Sequence, residues 1–273
     1  MKKISFIGAG NMGGAMIKGV CKVLDARQVI IYDVDSAKTS ELKNSCGCVV
    51  ADSLMQACDS EYIVLAVKPQ VLRNVQRDIN PYLVSHSEKG ERQVIISIAA
   101  GITLESLAAT PKQAGLDLPV VRMLPNTPCE VGQGLMIYCV NSLADKNITD
   151  EVNHIFSQCG TVELVDENML DVASAVSGCT PAFAYMFIEA LADGAVRCGV
   201  PRDKAIRYAA QAVAGSAHMV LETGRHPDVL KDAVCSPGGS TIVGVSTLEN
   251  SAFRAAAANA VFYANEKNKD LGK

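Results

Sequence analysis

The sequence predicts an α/β half built on a parallel sheet, followed by an all-helical half. Three observations carry this. Short apolar runs alternate with helical stretches through the first 165 residues. A glycine-rich turn follows the first apolar run directly. From residue 166 strand signals stop and alanine rises. A chain of 273 residues suits two domains, and the change of pattern divides it into 1–165 and 166–273.

The expected strands are residues 3–8, 29–33, 62–67, 94–99, 120–124 and 135–140. Most are near-continuous apolar runs, the pattern of strands buried on both faces. Between them the expected helices are 12–24, 36–44, 71–83 and 104–113. Alternation of this kind implies parallel pairing and right-handed crossovers. Residues 150–159 read as one more helix and 161–165 as an edge strand. In the second half, 181–198 is an alanine-rich helix, Pro201 opens the next, and Gly224 ends it. Residues 226–233 form a shorter helix and 251–265 a last one, with a charged tail expected to fray. Helices apolar on several faces need burial on more than one side, so a dimer through this half is expected.

Composition narrows the function classes. Lys+Arg number 25 against 29 Asp+Glu, and hydrophobic residues make up 49%. That excludes a disordered chain, and the mild acidity argues against a nucleic-acid partner. The longest apolar run, 94–104, falls short of a span and is broken by Ser97, Gly101 and Thr103, so no membrane partner is expected. The opening MKKISFIGAG breaks at glycines where an export signal would continue, which points to the cytoplasm. The ten cysteines are scattered; Cys46 and Cys48 are the one close pair. They lack metal-ligand spacing, so no metal is expected and they read as reduced packing residues.

Gly8-Ala9-Gly10-Asn11-Met12-Gly13 spells G-x-G-x-x-G between a strand and a helix, and Asp33 follows Gly13 by 20 residues at the end of the next strand. This is the context of a Rossmann dinucleotide-binding domain. Gly8 allows the tight turn, Gly10 the approach of the pyrophosphate, and Gly13 close helix–strand packing, with the helix N-terminus facing the phosphates. Asp33 suits the ribose hydroxyls of NADH and repels a 2′-phosphate; Lys38 is the one nearby cation, so NADH is mildly favoured and NADPH stays open. Two further loops leave carboxyl ends of strands: Ala66-Val67-Lys68-Pro69-Gln70 and Ser97-Ile98-Ala99-Ala100-Gly101. Lys68 alone reads equally as an ordinary solvated lysine. Gly238 and Gly239 precede a helix at residues 242–248, and their amides suit a carboxylate beside the Thr241 hydroxyl; the same turn also reads as a capped interhelix turn. Cys179 has no histidine near it in sequence, which counts against a nucleophile.

In order along the chain, FIGAGNMGGAM, LAVKPQ, SIAAGIT, VVRMLPNTP, AVSGCTPAFAYMFIEALADGAV and LKDAVCSPGGSTIVGVSTLE resemble pyrroline-5-carboxylate reductase. The resemblance implies a Rossmann domain followed by an all-α dimerisation domain, with dimers that often assemble into rings, commonly decamers. It implies that Gly8, Ala9, Gly10, Asn11, Met12 and Gly13 form the phosphate loop and that Ser53 contacts the adenosine side. By the same resemblance Ala66, Val67, Lys68, Pro69, Ala99 and Ala100 line the cofactor. Gly238, Gly239, Ser240 and Thr241 would hold the substrate, with Thr241 oriented on the ring nitrogen as the catalytic residue, and Glu167 falls near a substrate-contacting position. The chain departs from the family at Ser177-Gly178-Cys179-Thr180-Pro181, where Ser-Gly-Ser-Gly-Pro is usual, and at Ser240, where a threonine is usual.

The implied reaction is hydride transfer from NAD(P)H to the C=N bond of 1-pyrroline-5-carboxylate, giving L-proline. A protonated iminium needs no strong protein acid, which fits the lack of a catalytic dyad. A β-hydroxyacid reductase would place a lysine on the first long helix of the second half, and residues 181–198 contain none. Another imine reductase remains a rival. So does a silent dinucleotide sensor, which has no need of the second glycine loop.

Overall fold

The structure, a computed structural model, describes residues 1–271. The chain divides into two compact units: Met1–Gly178 with the chain's end from Ala264, and Cys179–Tyr263.

The first unit is an eight-stranded sheet of order β3-β2-β1-β4-β5-β6-β7-β8. The strands are β1 (Lys2–Ile7), β2 (Val29–Tyr32), β3 (Val49–Val50), β4 (Ser60–Leu65), β5 (Val94–Ser97), β6 (Val120–Leu124), β7 (Gly134–Val140) and β8 (Gly160–Leu164). Its helices are α1 (Asn11–Val20), α2 (Ser36–Cys46), α3 (Leu54–Ala57), α4 (Pro69–Glu88), α5 (Leu104–Gln113), α6 (Lys146–Phe156) and α7 (Glu167–Ser177). Asp35, Thr103 and Asp145 cap α2, α5 and α6 through side-chain oxygens. The central strands are mostly apolar because both faces are covered. Ile4, Phe6 and Val64 pack with Met16, Ile17, Ile155 and Phe156 of α1 and α6. Ile7, Ile63 and Ile95 pack with Leu72, Ile79, Leu83 and Leu107 of α4 and α5.

Two expectations are corrected. Strands β1 to β6 pair in parallel as expected, but β6 and β7 are antiparallel. A 3-10 turn (Thr127–Val131) joins them, and without a crossover helix the chain reverses. The β7–β8 pair, bridged by α6, is parallel again. The charged tail does not fray after residue 265: the last helix continues to Leu271. Sequence reading also passed over β3, two residues long, and α3, four.

The second unit contains α8 (Thr180–Arg197), α9 (Arg202–Thr223), α10 (Pro227–Ala233) and α11 (Ser240–Asn250), and α12 (Phe253–Leu271) begins in it. Gly224 ends α9 in the left-handed region at φ 61°, where glycine carries no Cβ penalty. Ala192, Ala205 and Ala209 form a thin core between α8 and α9. Large apolar side chains stay exposed, among them Met186 at 69% and Leu221 at 76%. Among the described residues one helical stretch, Glu167–Arg197, is long and apolar enough by length and composition to cross a membrane. A search for unbroken apolar runs misses it because small and polar residues interrupt it.

Candidate functional site

The turn between β1 and α1 is shaped by what its glycines leave out. Gly8 sits at φ 108°, and a Cβ there would overlap the Ala66 carbonyl. At Gly13 a Cβ would lie 2.5 Å from the Gly8 carbonyl oxygen and 3.2 Å from Ala66 Cβ, so α1 packs against the strand ends with no room for a side chain. Gly10 differs: a Cβ there would meet nothing within 4 Å. It caps α1 without a side-chain hydrogen bond, which leaves the first-turn amides available to an anion. These features fit the diphosphate of a dinucleotide.

A cavity of about 580 Å³ opens at this point. Gly10, Asn11, Met12 and Gly13 line one side; Ala66, Val67, Lys68 and Pro69 line the next; Ile98, Ala99, Ala100, Leu124 and Pro125 complete it. Three loops expected to hold the cofactor therefore meet at the carboxyl edge of the parallel strands. A second cavity of about 420 Å³ lies beside it, lined by Ala9, Gly10 and Lys18 together with Lys38 and Glu41 of α2 and Thr127 and Glu130 of the 3-10 turn.

Asp33 lines neither cavity. Its Oδ2 accepts the Ala9 N–H at 2.7 Å and its Oδ1 the Asp35 N–H at 2.9 Å, which ties the phosphate turn to the end of β2. Lys38 pairs with Asp35 at 3.3 Å, and this pairing draws the Asp35 carboxyl below the usual range. Ser53 caps α3, accepting the Gln56 N–H at 3.3 Å, and also lies outside both cavities.

Glu167 opens α7. Its Oε1 accepts the Leu104 N–H at 2.8 Å and an Arg122 Nη1–H at 3.1 Å. Arg122 is 1% exposed and also donates to Asp171, at 2.5 Å. Asn126, 9% exposed, donates to the Ser177 carbonyl at 2.8 Å and accepts the Leu135 N–H at 2.9 Å. Sequence reading missed Arg122 and Asn126. The signal was there for Arg122: a charged residue inside the apolar run VVRML must find buried partners.

In the second unit, Gly238 takes φ 69° and Gly239 caps α11 without a side-chain hydrogen bond. Ser240 and Thr241 open that helix and are exposed. Cys179 precedes α8 and is half-buried. All ten cysteines are free thiols. Burial pushes Cys58, Cys139 and Cys159 up to about 12, which keeps them inert. Among the described residues no group of three or more His, Cys, Asp or Glu side chains is placed to hold a metal ion.

Comparison with known proteins decides the family. The chain is 42% identical over 276 residues to pyrroline-5-carboxylate reductase of Escherichia coli (strain K12), covering 100% of this chain and 99% of that protein. The chain belongs to the pyrroline-5-carboxylate reductase family. The relative of that name from Methanosarcina acetivorans is 38% identical, over 100% of this chain and 98% of its own. Within this family the model described as pyrroline-5-carboxylate reductase dimerisation matches residues 167–271. A model described as NADP oxidoreductase, coenzyme F420-dependent, matches residues 3–101. Among solved structures, Plasmodium falciparum pyrroline carboxylate reductase with NADP bound superposes at a TM-score of 0.84 and 33% identity, covering 100% of this chain and 98% of that one. An imine reductase from Myxococcus stipitatus and a prephenate dehydrogenase from A. aeolicus are alike at the level of fold, at 18–19% and 12% identity.

Proposed function

We propose that this chain reduces 1-pyrroline-5-carboxylate to L-proline with NAD(P)H, as the last step of proline biosynthesis. The observation that carries the reading is the convergence of the three cofactor loops on one cavity, in a chain alike end to end with reductases of that name. When bound, the reduced nicotinamide supplies the hydride. The α1 amides hold the diphosphate, and residues 66–69 and 98–100 flank the nicotinamide and its ribose. The Gly238 and Gly239 amides hold the substrate carboxylate. Ser240 and Thr241 bind beside them, and Thr241 orients the ring nitrogen and retains its proton while the imine carbon accepts the hydride.

Asp33 favours NADH on charge, although two backbone amides already occupy its oxygens and Lys38 is engaged with Asp35. The exposed apolar helices suit a dimer, with rings of dimers up to a decamer, and no membrane or nucleic-acid partner is proposed. The proposed compartment is the cytoplasm.

The test follows nicotinamide absorbance during turnover of 1-pyrroline-5-carboxylate, with NADH and NADPH in parallel. Oxidation that yields proline is expected, and the ratio of kcat/KM values for the two cofactors tests the reading of Asp33. A folded, oligomeric protein that oxidised neither cofactor would overturn the reading.

A further inference from the structure

We infer that Glu167 is a positioning residue, which holds two walls of the dinucleotide cavity together and does not touch the substrate. The inference rests on the cavity being the dinucleotide site. One oxygen, Oε1, accepts from both Leu104 N–H and Arg122 Nη1–H. Leu104 is the first residue of α5 and closes the loop that begins with the cavity-lining Ile98, Ala99 and Ala100. Arg122 lies on β6, two residues before the cavity-lining Leu124. A single carboxylate oxygen from α7 thus fixes a loop and a strand that meet at the nicotinamide end.

The amide of Leu104 belongs to the first turn of α5, which has no intrahelical acceptor for it, and a carboxylate there is favoured by the helix dipole. Thr103, the α5 cap, serves Ser106 N–H instead. Arg122 is buried, and its Nε finds no partner among the described residues. Among the described residues Glu167 and Asp171 hold its guanidinium, so removal of one leaves a buried cation half-paired. Both bonds converge on Oε1, so the positioning role rests on that one oxygen.

The test compares Glu167→Ala with Glu167→Gln, by titration with NADH and NADPH and by steady-state turnover of 1-pyrroline-5-carboxylate. Gln keeps an oxygen that accepts from Leu104 N–H and Arg122; Ala keeps none. The expected result is a dinucleotide KM raised about tenfold in Ala and restored to within about threefold of wild type in Gln, with the imine KM nearly unchanged in both. A substrate contact would instead show as an imine KM raised as much by Gln as by Ala, because a cationic iminium feels the lost charge; that result overturns the inference. A lower thermal midpoint with both KM values unchanged overturns it too, since it marks a purely structural role. If Ala fails to fold, Glu167→Asp serves in its place: its shorter reach should raise the dinucleotide KM, and a rise in the imine KM alone would count against positioning. A wild-type chain that bound neither dinucleotide would overturn the cavity reading itself, before any variant was compared.

Discussion

Replacing Gly10 by alanine should separate binding from folding at the phosphate turn. In the free protein the new methyl meets nothing within 4 Å, and the backbone of Gly10 (φ −67°, ψ −174°) is one any residue adopts. Alanine is a clearly poorer helix cap than glycine, but it stiffens the unfolded chain by a comparable amount, so stability should change by less than about 0.5 kcal/mol. The empty space above Gly10 is where the diphosphate must come against the α1 amides. Losing two charge-assisted hydrogen bonds at about 1.5 kcal/mol each costs about 3 kcal/mol, or roughly a hundredfold in dinucleotide affinity. Gly13→Ala gives the contrast. Its Cβ would lie 2.5 Å from the Gly8 carbonyl, so helix and strand must part. Overpacking of about 1–3 kcal/mol outweighs the roughly 1 kcal/mol gained in helix propensity. That variant should lose several degrees of thermal midpoint as well as affinity. Thermal unfolding and dinucleotide titration on both variants decide the matter. Wild-type affinity in Gly10→Ala would refute the placement of the diphosphate.

Further outcomes can be checked in the same way. Asn126→Ala orphans the Ser177 carbonyl and the Leu135 amide, and should cost about 2 kcal/mol or more in urea unfolding; an unchanged midpoint would show that water replaces both bonds. Asp33→Asn keeps one carbonyl oxygen for two backbone donors and removes the charge, so it should lose about 1 kcal/mol of stability while kcat/KM shifts toward NADPH; an unaltered cofactor ratio would detach Asp33 from selectivity. Thr241→Ala should lower turnover and leave the thermal midpoint in place, and wild-type kcat and KM would remove that residue from the reaction. Burial raises the thiols of Cys58, Cys139 and Cys159 to about 12 and Cys129 to about 11. Unfolded thiols ionise near about 8.5, so the unfolded chain sheds these protons first. Stability present below that pH should fall as pH climbs toward 11–12, and a urea midpoint at pH 9.5 equal to that at 7.5 would contradict the burial.

What sequence could convey followed from how local each constraint is. Gly8, Gly10 and Gly13 encode a turn whose geometry depends on near neighbours, and the apolar runs encode strands covered on both faces, so the sheet's first half was legible. The reversal between β6 and β7 was not: no residue in 125–133 is diagnostic of it, and only the missing crossover helix hinted at it. Helix α7 packs Leu170 against the sheet, but its polar hold through Arg122, Asn126 and Leu104 joins residues distant in sequence and was not legible. Asp33 was legible as a carboxylate at the right place, but its engagement with two backbone amides depends on the fold around it.

The reversal of β7 decides where the main chain goes next. Because β7 and its parallel neighbour β8 run against β6, β8 heads away from the carboxyl edge of the parallel strands and stops with Leu164 across Tyr138 from Met123. Helix α7 then packs along β7, from the level of Arg122 at Glu167 to Asn126 at Ser177, and returns the chain to the carboxyl edge. A crossover helix in place of the 3-10 turn would have released β8 on the ligand side and sent α7 the other way. Nine residues of loop thus act as the fold's return address: residue 178 arrives at the same rim of the sheet as the cavity because one pair of strands turned back.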